Sequence, residues 1–246
     1  MSVEHTFTKE NLNTYLRELG KEFRKVNGTV MSAEVVLVGG AAILANYNFR
    51  EMTRDIDAVI HASSAMRDAI NYVGEKYGLP RGWFNTDFMR TTSHTNKIPQ
   101  YSKHYKTFSN VLHIRTINSE YLIAMKLVSG REYKYDLSDI VGILAEHEKA
   151  GEIITFEDIN RAMLEMYDGW DMVSDEARDF LNHTLKQPSL EAFFSQIRAE
   201  EKRNNKIIRD IDEHDSKWLK NEGASAVLKK LKNKEVQVVD EDLDNI

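Results

Sequence analysis

The chain of 246 residues has no cysteine and only three prolines, at positions 80, 99 and 188. The first absence excludes disulfide staples, thiolate metal sites and a cysteine nucleophile. The second leaves long stretches uninterrupted for helix. No apolar run approaches the roughly 20 residues that a membrane-spanning helix needs. The longest candidate, Val35 to Ala45, is broken by Gly39 and Gly40. The opening Ser2-Val3-Glu4-His5 lacks the basic-then-apolar pattern of a secretory leader. The expectation is a soluble, cytoplasmic protein with no membrane partner. Positive charge is also in deficit: 33 Lys and Arg against 39 Asp and Glu give a formal net charge of −6. That argues against coating nucleic acid by bulk charge and leaves room only for a local basic groove. The eight histidines show no His-x-x-x-His spacing, which disfavours a zinc hydrolase. G-x-G-x-x-G, G-x-S-x-G and G-x-x-x-x-G-K-[ST] are all missing.

What is present is enough apolar material, 41% of residues, for a packed core of one large or two small domains. Thr8 can cap a first helix carrying Leu12, Tyr15, Leu16, Leu19 and Phe23 at helical spacing, stopped by Asn27-Gly28. Glu34 to Val38 reads as a strand ending at Gly39-Gly40, Ala41 to Asn46 as helix, and Ile56 to Ile60 as a second strand. Ser63 or Ser64 is expected to cap a helix to Tyr77, and Ser119 one through Val128 closed by Gly130. Residues 81–100 read as loop with short helix, and Asn110 to Thr116 as a third strand. From Asp136 the pattern is helical: Thr155 caps Phe156 to Tyr167, and Asp175 starts another helix that Pro188 separates from Ser189 onward. Residues 198–234 are dense in both charge signs and read as a solvated helix or helix pair, and 235–246 as an acidic, loosely held tail. The expected fold is α/β (α+β). A small mixed sheet and its helices would form a core over 1–135, with a helical C-terminal region over 136–234.

The informative segment is Val35 to Leu44 followed by Thr53-Arg54-Asp55-Ile56-Asp57: strand, two glycines, helix, then a strand bearing Asp-x-Asp. Glycines let backbone approach a polyphosphate, and helix N-terminal N–H groups favour its charge. Strand alternation puts Asp55 and Asp57 on one face, about 6–7 Å apart at Cα. Such a pair can bridge hard cations such as Mg²⁺. Two ions roughly 3.5–4 Å apart can hold the attacking and leaving oxygens of an in-line displacement. The plainer reading of the same residues is a tight turn and the polar face of an edge strand. Adjacent like charges on one face, however, cost up to about 1 kcal/mol without a cation to offset them.

These residues resemble the nucleotidyltransferase superfamily that shares the DNA polymerase β core. A second likeness is Tyr121 to Arg131, Tyr-Leu-Ile-Ala-Met-Lys-Leu-Val-Ser-Gly-Arg, followed by Lys134-Tyr135-Asp136-Leu137-Ser138-Asp139-Ile140. It is similar to the Lys-Leu-x-x-x-Arg…Asp-x-x-Asp segment of the bacterial branch containing toxins of abortive-infection type IV systems. The resemblance implies an α/β fold and Mg²⁺ as cofactor. It also implies transfer of a nucleotidyl group from an NTP to a hydroxyl on RNA such as tRNA, or on a protein, with a cognate antitoxin as a partner. Carried over, Gly39 and Gly40 would lie under the triphosphate, and Asp55 and Asp57 would be the metal ligands. Lys126 would meet the phosphates, with Arg131 beside it in nucleotide binding. Asp136 would orient Lys126 or Arg131, or support the nucleophile. By residue type alone, Lys126 is equally a helix lysine with a buried stem, and Asp136 and Asp139 equally first-turn acids of a helix.

The sequence departs from the superfamily at one point. The strand expected to carry a third carboxylate, 110–116, has none, and His113 and Arg115 stand there. The alternative is therefore a catalytically weakened member that binds a nucleotide or a partner protein. Two further features have both a functional and a plain reading. Trp83-Phe84-Asn85-Thr86-Asp87 could edge the cleft or plug the core under a loop. Lys97, Lys103, His104 and Lys106, interleaved with Tyr101, Tyr105 and Phe108, suit a polyanion such as RNA or a solvated loop.

Overall fold

The structure is a computed structural model that describes residues 5–29, 31–131, 134–224 and 226–231, the backbone alone for 213–222. The acidic tail lies outside the described residues. The strands are β1 (Ala33–Leu37), β2 (Ile56–His61), β3 (Phe84–Asn85), β4 (Ser102–Phe108) and β5 (Leu112–Ile117). The helices are α1 (Lys9–Asn27), α2 (Gly39–Asn46), α3 (Ala65–Tyr77), α4 (Ser119–Ser129), α5 (Asp136–Ala150), α6 (Phe156–Tyr167), α7 (Asp175–Thr184) and α8 (Leu190–Glu222). The five strands form one mixed sheet in the order β3-β2-β1-β5-β4. β1 runs antiparallel to β2 and parallel to β5, β4 pairs antiparallel with β5, and β2 pairs parallel with β3. The fold is thus the expected α/β type, a mixed sheet flanked by helices with a helical C-terminal region.

α1 packs on α3 and reaches β4; α2 packs on β2, β5 and α4; α4 also meets α5, α6 and α7. One core cluster runs from Phe7 through the sheet residues Val35, Leu37, Ile56, Leu112 and Ile114 to Ile159 and Leu181, so the sheet and α4–α7 share one interior. Among the described residues no helix is long and apolar enough to cross a membrane.

Two strands differ from expectation. β4 occupies part of the basic segment whose sequence is open to reading as a polyanion-binding run or as a solvated loop. Only its ends, Ser102 and Phe108, are buried, and a bulge between His104 and Lys106 breaks the alternation. A polar edge strand with lysines leaves no hydrophobic period to read. Ser109 and Asn110 both have positive φ, 54° and 60°, and form the tight link to β5. β3 is only two residues long, too short for any pattern.

Three serines also act differently from expectation. Thr8 and Thr155 do cap their helices. Ser64 precedes α3 without a capping bond, and Ser63 donates instead to Asn27 Oδ1 at 2.7 Å. Ser119 is the first helical residue of α4, and its hydroxyl joins Tyr47 (2.6 Å) and His147 (2.9 Å).

α8 is not solvated along its whole length. Its first half packs on α5, and there Glu201 and Asn204 are buried. The Glu201 carboxylate accepts from Leu137 N (2.9 Å), Ser138 N (3.2 Å) and the Ser138 hydroxyl. It thereby satisfies N–H groups that the start of α5 leaves without helical partners.

Candidate nucleotide and metal site

β1 ends at Leu37, and the next residue, Val38, donates its N–H to the Asp57 carbonyl at 3.0 Å. This bond sets the glycine turn beside the acid-bearing start of β2. Gly39 opens α2 with φ +54°, a conformation that disfavours any side chain. A Cβ built on it would meet only Asp57 Oδ2, at 3.8 Å. The Asp57 carboxylate therefore faces the glycine turn across open space. Gly40 differs: its Cβ would lie 2.6 Å from Thr53 Oγ1 and 2.7 Å from the Arg50 guanidinium. Gly39 is the open glycine of the pair, and Gly40 admits close packing.

Asp55 immediately precedes β2 and is exposed; Asp57, inside the strand, is half-buried. Burial and the neighbouring Asp55 charge push the Asp57 carboxyl up to about 6, with Asp87 adding to the rise and Lys134 and Arg131 opposing it. Among the described residues no three acidic or histidine side chains converge as a metal cage. Mg²⁺ ordinarily takes only one or two carboxylates, with phosphate oxygens and water completing its shell.

The residues of the second likeness form a buried ion cluster. Lys126 and Asp136 are 7% and 1% exposed and Asp139 is fully buried. Lys126 Nζ meets Asp136 Oδ1 at 2.6 Å and Asp139 Oδ2 at 2.9 Å. Arg131 Nε bonds the other Asp136 oxygen at 2.9 Å. Arg50 Nη1 bonds Asp139 Oδ2 at 2.5 Å, and Arg198 of α8 stands 3.8 Å from Asp139 Oδ1, its guanidinium 4.2 Å from the Tyr135 ring centroid. Burial works against the charges of Asp136 and Lys126. The cations Lys126 and Arg131 nevertheless hold Asp136 well below the usual carboxylate range, and Asp136 and Asp139 hold the Lys126 ammonium above its ordinary value. Asp136 and Asp139 do occupy the first turn of α5, but their carboxylates turn into this cluster instead of capping the helix.

The structure thus brings Asp55, Asp57 and Gly39 together, with Gly40 packed behind the turn. Lys126 and Asp136 sit in the adjoining cluster, which reaches the turn through Arg50. Arg131 belongs to the cluster through Asp136 and to the acid pair through its field on Asp57. Sequence reasoning did not find Arg50, Arg198 or Glu201; it placed Lys134 in the second motif and Asp87 in the 83–87 cluster that could edge the cleft, without giving either residue a role of its own. Lys134 is an exposed cation in the turn before α5, and its charge is felt by Asp136, Asp55 and Asp57. Asp87 follows β3, whose Asn85 is the register partner of Asp57. Asp87 N donates to Asn85 Oδ1 at 2.7 Å, an Asn-x-Asp turn at the end of the aromatic–polar cluster. The acid-free 110–116 segment is β5, which pairs with β1 and β4 and not with β2. The strand that does flank the Asp-x-Asp strand on its far side is β3.

A glycine turn at a helix N-terminus, facing an Asp-x-Asp strand in a mixed sheet, is the framework of a nucleotidyltransferase. The chain belongs to a family described as nucleotidyltransferase of unknown function (DUF6036), whose model matches residues 14–177. No curated protein and no solved structure matches the chain.

Proposed function

We propose that the protein transfers a nucleotidyl group from an NTP to a hydroxyl acceptor, with Mg²⁺ held by Asp55 and Asp57. The observation that carries this reading is the Asp57 carboxylate facing the open side of Gly39. Its donor set suits a hard cation: no described group donates a hydrogen bond to the Asp57 carboxylate, and a second acid stands beside it. Bound Mg²⁺ would neutralise phosphate charge as it develops.

The chain's own groups do the rest. The α2 N-terminus and Gly39 receive the triphosphate. Arg131 and Lys134 supply positive charge next to it. Lys126 acts as a positioning residue, because its ammonium is already engaged by Asp136 and Asp139. Asp136 in turn orients Arg131. The acceptor oxygen forms a bond to the α-phosphorus, the bond from that phosphorus to the α,β-bridging oxygen breaks, and pyrophosphate leaves. The acceptor proton passes to a carboxylate on the β3 flank, where Asp87 lies. Catalysis of this kind is mostly positioning and charge stabilisation.

Titration calorimetry with each NTP and Mg²⁺ tests the site. Binding is expected for the wild type and lost in Asp57→Asn. Incubation with labelled NTP, Mg²⁺, total RNA and lysate should label an acceptor only with the wild type. Equal labelling by Asp57→Asn would refute the mechanism. A toxin role with a cognate antitoxin rests on the likeness to abortive-infection toxins, and growth arrest by the wild type but not by Asp57→Asn is the outcome it requires.

A further inference from the structure

We infer that the cavity between α3 and the 78–86 segment is the acceptor groove, and that the acceptor it takes is a single-stranded polynucleotide. This rests on the nucleotidyl-transfer reading above and adds to it the acceptor's class and path.

The first argument is directional. In an in-line displacement the entering and leaving oxygens lie on opposite sides of phosphorus. The sheet order places β2, with Asp57, between β1 and β3. The glycine turn follows β1, and the cationic cluster adjoins that turn through Arg50, which lies against Gly40 and bonds Asp139. The leaving pyrophosphate therefore belongs to the β1 flank. The entering hydroxyl must come from the β3 flank. There a cavity of about 980 Å³ extends along α3 and reaches Asn85 and Thr86, the residues immediately before Asp87.

The second argument is chemical. The volume stands at the upper end of the roughly 300–1,000 Å³ of small-molecule sites, so it suits an extended ligand. Its lining includes Arg67 and Arg81 and only one acid, Glu75. Both arginines are exposed, and among the described residues neither guanidinium carries an ion pair or hydrogen bond. Guanidinium forks match phosphate oxygens in pairs. Ser64, Asn71 and Thr86 add neutral hydrogen-bonding groups, as base edges and sugars require. A peptide captured by strand addition would need a long open edge, and β3 offers two residues. The basic run of β4 does not compete for this role. It lies at the other edge of the sheet, three strand spacings or roughly 14 Å from β2.

The test uses the full chain and a fluorescein-labelled 12-nucleotide single-stranded RNA with a free 3′ hydroxyl, read by anisotropy without NTP. Reversing both charges, Arg67→Glu with Arg81→Glu, is expected to weaken binding about tenfold or more and to flatten its salt dependence. The pair Lys103→Glu with Lys106→Glu is expected to change binding less than twofold. Both arginines are exposed, so an unchanged melting temperature should accompany the loss. Undiminished binding by the arginine variant, or loss confined to the β4 variant, overturns the groove. A poly-glutamate peptide that displaces the RNA at lower concentration than unlabelled RNA does overturns the polynucleotide class. RNA binding that depends on Arg67 and Arg81, with no transfer of labelled nucleotide, upholds the groove while refuting the nucleotidyl-transfer reading, so the two fail separately.

Discussion

Two pairs of aspartates lie close together in this protein, and the chain treats them oppositely. Asp136 and Asp139 are buried and matched: Lys126, Arg131, Arg50 and Arg198 surround them. Asp55 and Asp57 stand nearer solvent, and no described side chain bonds the Asp57 carboxylate. Matched charges need nothing further and hold elements together; here they tie α4, α5, α8 and the segment after α2. At Asp57, burial and the neighbouring Asp55 charge together raise the carboxyl, and a perturbed acid of this kind in a cleft is characteristic of a site that takes a ligand. The residue types are the same, so the difference lies wholly in their surroundings.

The largest expected effect separates the pairs by stability. Lys126→Met leaves Asp136 and Asp139 short of a cation in a dry interior and should cost about 3–5 kcal/mol in urea unfolding. Asp57→Asn should leave unfolding free energy equal to or above that of the wild type at pH 7, since it removes a repelled charge. If Asp57→Asn destabilises as much as Lys126→Met, the contrast is wrong.

The two glycines sharpen the same contrast on a smaller scale. Gly40→Ala forces a methyl against Thr53 and Arg50 and should cost about 1–3 kcal/mol. Gly39→Ala meets open space and strains only the backbone, about 1–2 kcal/mol, yet it should weaken NTP binding more than its neighbour does. Calorimetry of both variants beside thermal melts decides this.

The smallest effect is pH-linked and concerns Glu201, which burial pushes up to about 8. The folded protein then keeps a proton that the unfolded chain, with an ordinary glutamate near 4.5, gives up. This contribution to stability is complete below pH 4.5 and is lost as pH rises toward 8. Glu201→Gln can reproduce the neutral carboxyl, since one oxygen accepts both α5 N–H groups and the amide can face the Ser138 hydroxyl. Its unfolding free energy should vary less between pH 5 and 8 than that of the wild type. An unchanged pH profile would show that Glu201 does not titrate in this window.

The parts of the fold written in the sequence were those with a strong local period or a cap. Leu12, Leu16, Leu19 and Phe23 in α1, and the capped start of α6, needed no tertiary information. β3 and β4 escaped because a two-residue strand has no period and a bulged, lysine-bearing edge has no apolar face. At the site, Gly39, Asp55 and Asp57 were legible because turn chemistry and Asp-x-Asp alternation are local. The separate duties of Gly39 and Gly40 were not, since they depend on Arg50 and Thr53 arriving from the following loop. Lys126 was legible as a partly buried lysine and Asp136 as one of its possible partners through the resemblance, whereas the second partner, Asp139, depends on how the next helix packs. Asp87 reaches the site only through the pairing of β3 with β2.

The grip of Glu201 on the first turn of α5 bears on where this protein can be cut. The family match ends at residue 177, yet Leu137 and Ser138 owe partners to a side chain 24 positions beyond it, by the difference between 201 and 177. A fragment trimmed to the matched span would fray at the helix start that carries Asp136. The stretch recognised by descent is therefore shorter than the stretch needed for an intact molecule.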